Sequence, residues 1–506
     1  MEPRAPSKEA SLTSHVSLLM VAKTLGFAFS MALPLILVRR MNQAEYGLYK
    51  QVFLVLATAL YILPFGFGMN AYYFLPREPE HRRQTVANIM VFNFVVGGLA
   101  FLALFFCPVL LQWIFRDTKL AGFSPLIGVM ILLWIFGAFL EIVPIAHGEV
   151  GLATIFIICV QLTRTVLFVT AAVWMGTVRS LIYAAIIQGA FQSCFLLVYL
   201  HSRFRGFWRC FDWKMLRRQL SYSVPLGMGA ALFTLQTDLH NYVVSNRFGA
   251  SEYAIYSVGT FNLPLVGLLQ EAANAVLIPR VGLMQQREQH QEVIYLIARA
   301  MRKLAAVYFP IYALMMVVGP QFIEFLFTKR YRASWPIFAV NLTLILTGIL
   351  MQDPLFRAYI SERFFLLRFR FAVLAVLIVA LWIGTSRYGP MGAICAVVIV
   401  NFMERTITAL RFGRLIGVGR KDLVLLRDVA KIAIAAAASG AAAALLRLLL
   451  SGYRPIVILL ACGTIFALVY AGALLLLKVP TAEEKELVRE KIAMVLKRPA
   501  RSGAAS

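Results

Sequence analysis

The sequence predicts an all-α integral membrane protein of about fourteen transmembrane helices, and three observations carry that reading. Of 506 residues, 60% are hydrophobic and only 14% are charged, against roughly 25% charged in a typical soluble domain. The mean hydropathy of +0.77 agrees. Apolar runs of about 20 residues, the length a bilayer core requires, recur from end to end. This pattern excludes an ordinary cytosolic enzyme, since no polar stretch is long enough for a separate soluble domain.

The expected spans fall at approximately 15–38, 51–67, 85–113, 122–146, 151–176, 180–200, 220–246, 254–278, 303–327, 335–360, 365–385, 389–410, 428–450 and 453–477. The first run is longer than a signal-peptide core and no small-residue cleavage site follows it, so it is expected to remain as a span. The six cysteines (Cys107, Cys159, Cys194, Cys210, Cys395 and Cys462) form no C-x-x-C pair. Neither a zinc site nor a disulfide framework is suggested, and no metal or cofactor is called for.

The formal net charge is +25. With an even number of spans both tails share one side. The tails and the even-numbered connections carry more than twice the Lys and Arg of the odd-numbered ones. The positive-inside rule therefore puts both termini in the cytoplasm. One connection dissents: the turn at Glu149 and Val150 has no Lys or Arg. The basic excess reads as cytoplasmic loops on anionic lipid rather than as nucleic-acid binding, because no basic soluble domain exists.

A duplication organises the chain. Arg40-Met-Asn-Gln-Ala-Glu45-Tyr46-Gly-Leu-Tyr49 follows the first span, and Arg247-Phe-Gly-Ala-Ser-Glu252-Tyr253-Ala-Ile-Tyr256 follows the seventh, 207 residues on. Asn42 or Gly249 is expected to cap the next helix, with Glu45 or Glu252 near its positive end. The tyrosines suit an interfacial aromatic belt. Six spans separate the copies, so the halves share one topology, a parallel repeat. Residues 1–205 and 206–413 then form two six-helix lobes, 414–478 adds two spans, and 479–506 is a cytoplasmic tail. Thr481-Ala-Glu-Glu484 is a capping-box pattern, and Val488, Ile492, Val495 and Leu496 make an apolar stripe, so the tail is expected to lie on the membrane as an amphipathic helix.

These motifs, with Asp238 inside the seventh span, resemble the multidrug/oligosaccharidyl-lipid/polysaccharide (MOP) superfamily. The sequence is most similar to its polysaccharide transport, Wzx-type branch. The resemblance covers essentially the whole chain and implies a MATE-like pair of lobes. It also implies alternating-access flipping of an undecaprenyl-pyrophosphate-linked oligosaccharide to the periplasmic leaflet of the bacterial inner membrane, for O-antigen, capsule or exopolysaccharide. A polysaccharide polymerase of the same pathway is the protein partner this suggests, and the chain is expected to act as a monomer.

Charges within a bilayer cost about 3 kcal/mol on insertion scales, so they are the candidate site residues. Lys23 either meets a pyrophosphate from the cytoplasmic side or snorkels to the interface. Arg164 lies nearer mid-span. A hairpin separates it from Glu141 by about 12 Å, so it either faces a cavity and binds phosphate through its planar fork or pairs with another acid. Asp238, Asn241 and Tyr242 share one helical face, read as cleft-lining. Asp238 is the first candidate for proton or sodium coupling. Glu271, beside Gln270 and on one face with Asn274, is the second acid. Asp353 and Arg357 are read as a self-satisfied i,i+4 pair, and Glu404 and Arg405 as interfacial. The basic, aromatic link His201–Arg218 reads as an interfacial segment on anionic lipid.

Three other readings stay open. A membrane enzyme of the same pathway lacks clustered acid/base or metal residues, so no catalytic residue is assigned. A cation-coupled drug exporter fits the acids of spans seven, eight and ten but not Lys23. A lipid II flippase calls for a more basic cleft, and the second span as drawn contains no cation.

Overall fold

A computed structural model describes residues 33–359, 362–450, 452–480 and Glu486. Lys23 and the 481–506 tail pattern lie outside the described residues, apart from Glu486. Among the described residues all regular structure is helical.

Asn42 opens α1 (Gln43–Ile62) with a capping box. Its side chain accepts from the Glu45 N–H at 2.9 Å, and the Glu45 carboxylate accepts from the Asn42 N–H at 3.4 Å. Two orphan donors of the first turn are thereby satisfied, as the repeat motif predicts for this copy. Phe65 and Gly66, both at positive φ, bend the chain by 43° before α2 (Asn70–Arg77). Next, α3 (Arg82–Phe106) ends at Cys107 and Pro108, and the short α4 (Val109–Phe115) follows. Three membrane-length helical segments follow: α5 (Ser124–Gly137), extended by further turns to Ala146, α6 (Val150–Thr170) and α7 (Val178–Arg203). The long α8 (Trp213–Gly259) is broken at Gly249, whose φ of 78° and ψ of 179° are not helical. It is followed by α9 (Pro264–Gln286), α10 (His290–Phe327), α11 (Trp335–Thr347) and α12 (Asp353–Ala358). Last come α13 (Arg363–Ile416), α14 (Arg427–Leu449) and α15 (Pro455–Leu476).

Among the described residues eight helices are long and apolar enough to cross a membrane, and two bent pairs bring the number to ten. One helix conceals a reversal. At Gly389, φ is 60°, and a Cβ on Gly384 would lie 2.5 Å from the Gly392 carbonyl oxygen. Residues eight apart in a straight helix are about 12 Å apart, so the chain folds back there, and α13 contains both stretches read from the sequence as separate spans at 365–385 and 389–410.

The chain packs as two compact units. The first comprises residues up to Thr260 with Leu326–Ile337 and Phe365–Val397. Its core includes Phe67, Leu75, Ile89, Phe139, Leu140, Leu196 and Leu200, all fully or almost fully buried. Lipid is as apolar as leucine, so close approach of small residues, rather than the hydrophobic effect, holds such helices together. A Cβ on Gly97 would lie 2.9 Å from Leu132, and one on Gly128 3.0 Å from Phe101. The basic, aromatic link is fastened by a reciprocal pair: Asn88 Nδ2 donates to the Asp212 carbonyl at 2.9 Å, and Asp212 N–H donates back at 3.1 Å. Trp208 and Trp213 are left exposed. The turn that has no cation of its own receives one from a neighbour, since Arg203 pairs with Glu149 at 2.9 Å.

The second unit comprises Phe261–Phe325, Phe338–Phe364 and residues from Val398 onward. Its α14 and α15 meet through small residues, with Ala443 and Cys462 packed on Val318, Ile458 and Phe466. Arg302 and Lys431 donate to the carbonyls of Val479 and Leu477, both at 3.1 Å, neutralising the exposed end of α15.

The repeat tyrosines do not form an interfacial belt. Tyr46, Tyr49, Tyr253 and Tyr256 are all buried inside the first unit. Tyr46 packs edge-on against Tyr331 at 5.8 Å, and the Tyr256 hydroxyl bonds His240 Nδ1 at 2.9 Å. Ring packing and, for Tyr256, a protein hydrogen-bond partner take the place of the interface.

Candidate functional site

The polar run of α8 sits against α1 in the first unit. Contact is closest where side chains are smallest: a Cβ on Gly47 would be 1.8 Å from the Ala250 carbonyl oxygen, and one on Gly227 2.1 Å from that of Phe65. Between these points polar groups bridge the pair. Gln51 Nε2 donates to Ser245 Oγ at 2.7 Å in a buried contact. The Tyr242 hydroxyl donates to the Leu54 carbonyl at 3.4 Å, its ring 5.5 Å from Phe115. Tyr242 is therefore tied to α1.

Asp238 and Asn241 are half-buried on the same face of α8, and the Asp238 carboxylate has no hydrogen-bond or ion-pair partner among the described residues. An unneutralised acid within a spanning helix is costly, and such groups are characteristic of ion or proton sites. His240, two residues on, is buried and committed to Tyr256 across the Gly249 break.

Arg164 is half-buried on α6 and lies over the rings of Trp134, at 4.9 Å, and Phe168, at 5.9 Å. Trp134 is fixed by donating its indole N–H to the Ala185 carbonyl at 2.8 Å. Phe168 continues edge-on to Phe53 and from there to Tyr49 on α1. Cation–π contact stabilises the guanidinium without using its N–H donors, which remain able to meet an anion.

Lys50 is a cation that sequence reasoning placed outside the second span. Capping at Asn42 starts α1 early, so Lys50 lies two turns inside the helix, half-buried, its ammonium 5.5 Å from the Tyr46 ring. The statement that this span contains no cation is thereby revised. The Asn-x-x-Glu pattern was the available signal.

In the second unit the tenth span is broken between α11 and α12. Arg405 fills the gap. Its Nη1 donates to the Thr347 carbonyl at 2.9 Å and the Leu350 carbonyl at 3.5 Å, and its Nε to Asn401 Oδ1 at 3.1 Å. Gln352 Nε2 donates to the Arg405 carbonyl at 2.7 Å. Arg405 thus donates to backbone carbonyls at the break instead of resting at the interface; the Thr347 carbonyl also accepts from the Leu350 N–H at 3.1 Å. Asp353, at the start of α12, accepts from Asn274 Nδ2 of α9 at 3.0 Å. The expected Asp353–Arg357 pair does not form: α12 has only six residues, Asp353 turns to α9, and Arg357 is exposed. Glu271, one turn before Asn274, is exposed. Asn274 and Asp353 are thus brought together, and Glu271 stands apart from their bond. No group of three or more His, Cys, Asp or Glu suited to a metal occurs among the described residues.

A family model described as "Polysaccharide biosynthesis protein" matches residues 36–336. The chain belongs to this family. As a member of the polysaccharide biosynthesis proteins it carries Arg164, Asp238, Asn241, Tyr242, Glu271 and Asn274 within the matched stretch, while Asp353 and Arg405 lie beyond it. Its fold is that of MOP transporters. A structure of the lipid II flippase MurJ in an inward closed conformation matches with a TM-score of 0.69 at 14% identity, over 90% of this chain and 97% of that one. An inward-facing multidrug resistance MATE transporter matches with a TM-score of 0.60 at 14% identity, over 82% and 99%. A MOP superfamily transporter from Pyrococcus furiosus matches with a TM-score of 0.55 at 15% identity, over 81% and 94%. Comparison with curated proteins finds no match. This polysaccharide biosynthesis protein therefore has a fold similar to that of MOP transporters, in line with the resemblance read from the sequence.

Proposed function

We propose that the protein flips a lipid-linked oligosaccharide, carried on undecaprenyl pyrophosphate, from the cytoplasmic to the periplasmic leaflet by alternating access. The observation that carries this reading is the polysaccharide biosynthesis family match over residues 36–336, joined to a transporter fold. Residues 1–205 and 206–413 act as the two repeats, with both termini cytoplasmic in the inner membrane. Lys23 and Arg164 take the pyrophosphate, whose oxygens suit a fixed guanidinium. Asn241, Tyr242 and Asn274 meet sugar hydroxyls. Asp238 trades a proton or sodium ion between the two sides, with Glu271 as the second acid.

A specific observation favours one alternative. Lys50 makes the second span more basic than its composition suggested, which suits a lipid II flippase. Reconstitution in proteoliposomes separates the readings. Fluorescent polyprenyl-pyrophosphate oligosaccharide and lipid II are supplied in turn, with and without a pH gradient, to wild type, Lys23→Ala and Asp238→Asn. Gradient-dependent flipping of the oligosaccharide carrier, lost in both variants, is the expected result. Movement of lipid II alone assigns the alternative, and movement of neither overturns both.

A further inference from the structure

A cavity of about 880 Å³ in the first unit belongs to none of the groups assigned above except Tyr242, which is one of its lining residues. Its polar rim is Gln112, Trp113 and Arg116 from the end of α4, Asn246 and Arg247 from α8, and Trp382 from α13. Three interruptions of the chain sit beside it: Cys107 and Pro108 just before α4, Gly249 just after Arg247, and Gly389 shortly beyond Trp382. Trp113, Asn246 and Trp382 stand at or near the ends of the hydrophobic stretches 85–113, 220–246 and 365–385, so the cavity lies at a membrane interface. Trp113 and Trp382 are exposed, at 78% and 64%, as tryptophans of an interfacial belt are.

The rim is preorganised for an anion. Arg247 donates through Nη1 alone to Thr385 Oγ1 and Ser386 Oγ, each at 2.8 Å, and to the Trp382 carbonyl at 3.5 Å. Those bonds fix the guanidinium and leave its Nε and Nη2 edge without a partner among the described residues. Arg116 sits in a left-handed conformation (φ 52°) that ends α4, its side chain exposed and likewise unpartnered there. The neighbouring Asp117 is engaged by the Lys119 N–H at 2.8 Å. Asn246 Nδ2 donates to the carbonyls of Trp113 and Ile114, at 3.2 and 2.7 Å, and holds the end of α4 in place. No carboxylate is among the described lining residues. Two guanidinium groups beside apolar and aromatic walls suit a phosphate attached to a hydrocarbon chain better than a free ion.

We propose that this cavity binds the phosphate headgroup of a membrane lipid. By the charge distribution of the loops it lies on the extracytoplasmic side, and the assignment does not depend on what the protein transports.

The test is native mass spectrometry of the purified full-length protein with phosphatidylglycerol, polyprenyl pyrophosphate, phosphatidylcholine and inorganic pyrophosphate as separate probes. Arg116→Gln/Arg247→Gln is expected to weaken phosphatidylglycerol or polyprenyl pyrophosphate by at least about tenfold, and the lipid that responds identifies the source. Arg247→Lys keeps the charge but not the fork and falls between. Unchanged binding of every lipid in the double variant overturns the site. Displacement of lipid by equimolar inorganic pyrophosphate also overturns it, in favour of a free anion. If the double variant fails to fold, Arg116→Gln alone decides, because that side chain holds no structural contact: a loss of about threefold supports the site and no loss refutes it.

Discussion

Gly47 of the first repeat turn and Ala250 of the second are in backbone contact: a methyl group on Gly47 would stand 1.8 Å from the Ala250 carbonyl oxygen. The two copies of the duplicated motif thus meet each other inside the first unit, and only hydrogen fits on one side. Gly47→Ala must push α1 from α8, at a cost of about 1–3 kcal/mol. Its unfolding midpoint is expected to fall, whereas Gly229→Ala, with open space around it, leaves the midpoint unchanged. Equal midpoints for the two variants would refute the contact.

Asp238 has no structural partner to lose among the described residues. Asp238→Asn should leave thermal stability unchanged or slightly raised while abolishing the response of transport to an ion gradient. A large drop in stability, measured on detergent-solubilised protein, would assign the carboxylate to packing instead.

Arg405 donates to the carbonyls of Thr347 and Leu350 at the break in the tenth span. Arg405→Met keeps the bulk of the stem but strands the Leu350 carbonyl, since that of Thr347 keeps its bond from the Leu350 N–H, and an unmet buried acceptor costs about 1–3 kcal/mol. Hydrogen exchange at residues 348–352 should rise selectively. Exchange no faster than in wild type would show that the break is held by something else.

His147, in the turn before α6, has its ring 4.9 Å from Phe204 and an unsatisfied Nδ1. Burial, then the positive charge of Arg82, lowers its pKa below the ordinary 6.5, with Glu149 opposing. The folded state therefore binds fewer protons than the unfolded state just below pH 6.5, so stability falls as pH falls through that value and on to the folded pKa. Unfolding midpoints taken from pH 7.5 to 5 should decline less in His147→Gln than in wild type.

The Asn42–Glu45 box closes α1 at its first turn. Asn42→Ala is expected to cost about 0.5–2 kcal/mol, read as a lower unfolding midpoint. A neutral result would mean that tertiary packing alone sets the start of this helix.

Much of this was legible in the chain itself. Hydropathy and charge predicted a multi-pass helical protein, because a bilayer leaves an apolar segment few other solutions. The Asn42 cap was readable because it involves residues three apart. The repeat was readable because identity at a fixed offset needs no knowledge of contacts. Other features depend on what lies across the fold. Asp353 had two eligible partners, Arg357 by spacing and Asn274 by packing, and the break before α12 decided for Asn274. Arg405 looked interfacial because the unwound carbonyls it meets are more than fifty residues away. The tyrosines of the repeat have interfacial chemistry but buried positions: their rings pack inside the unit, and the Tyr256 hydroxyl bonds His240. The sequence by itself determined that this is a multi-pass helical membrane protein, and it named several charges within the spans, though not Lys50. Only the tertiary structure decided which of those charges are satisfied, because satisfaction is a matter of distance between helices and not of spacing along one.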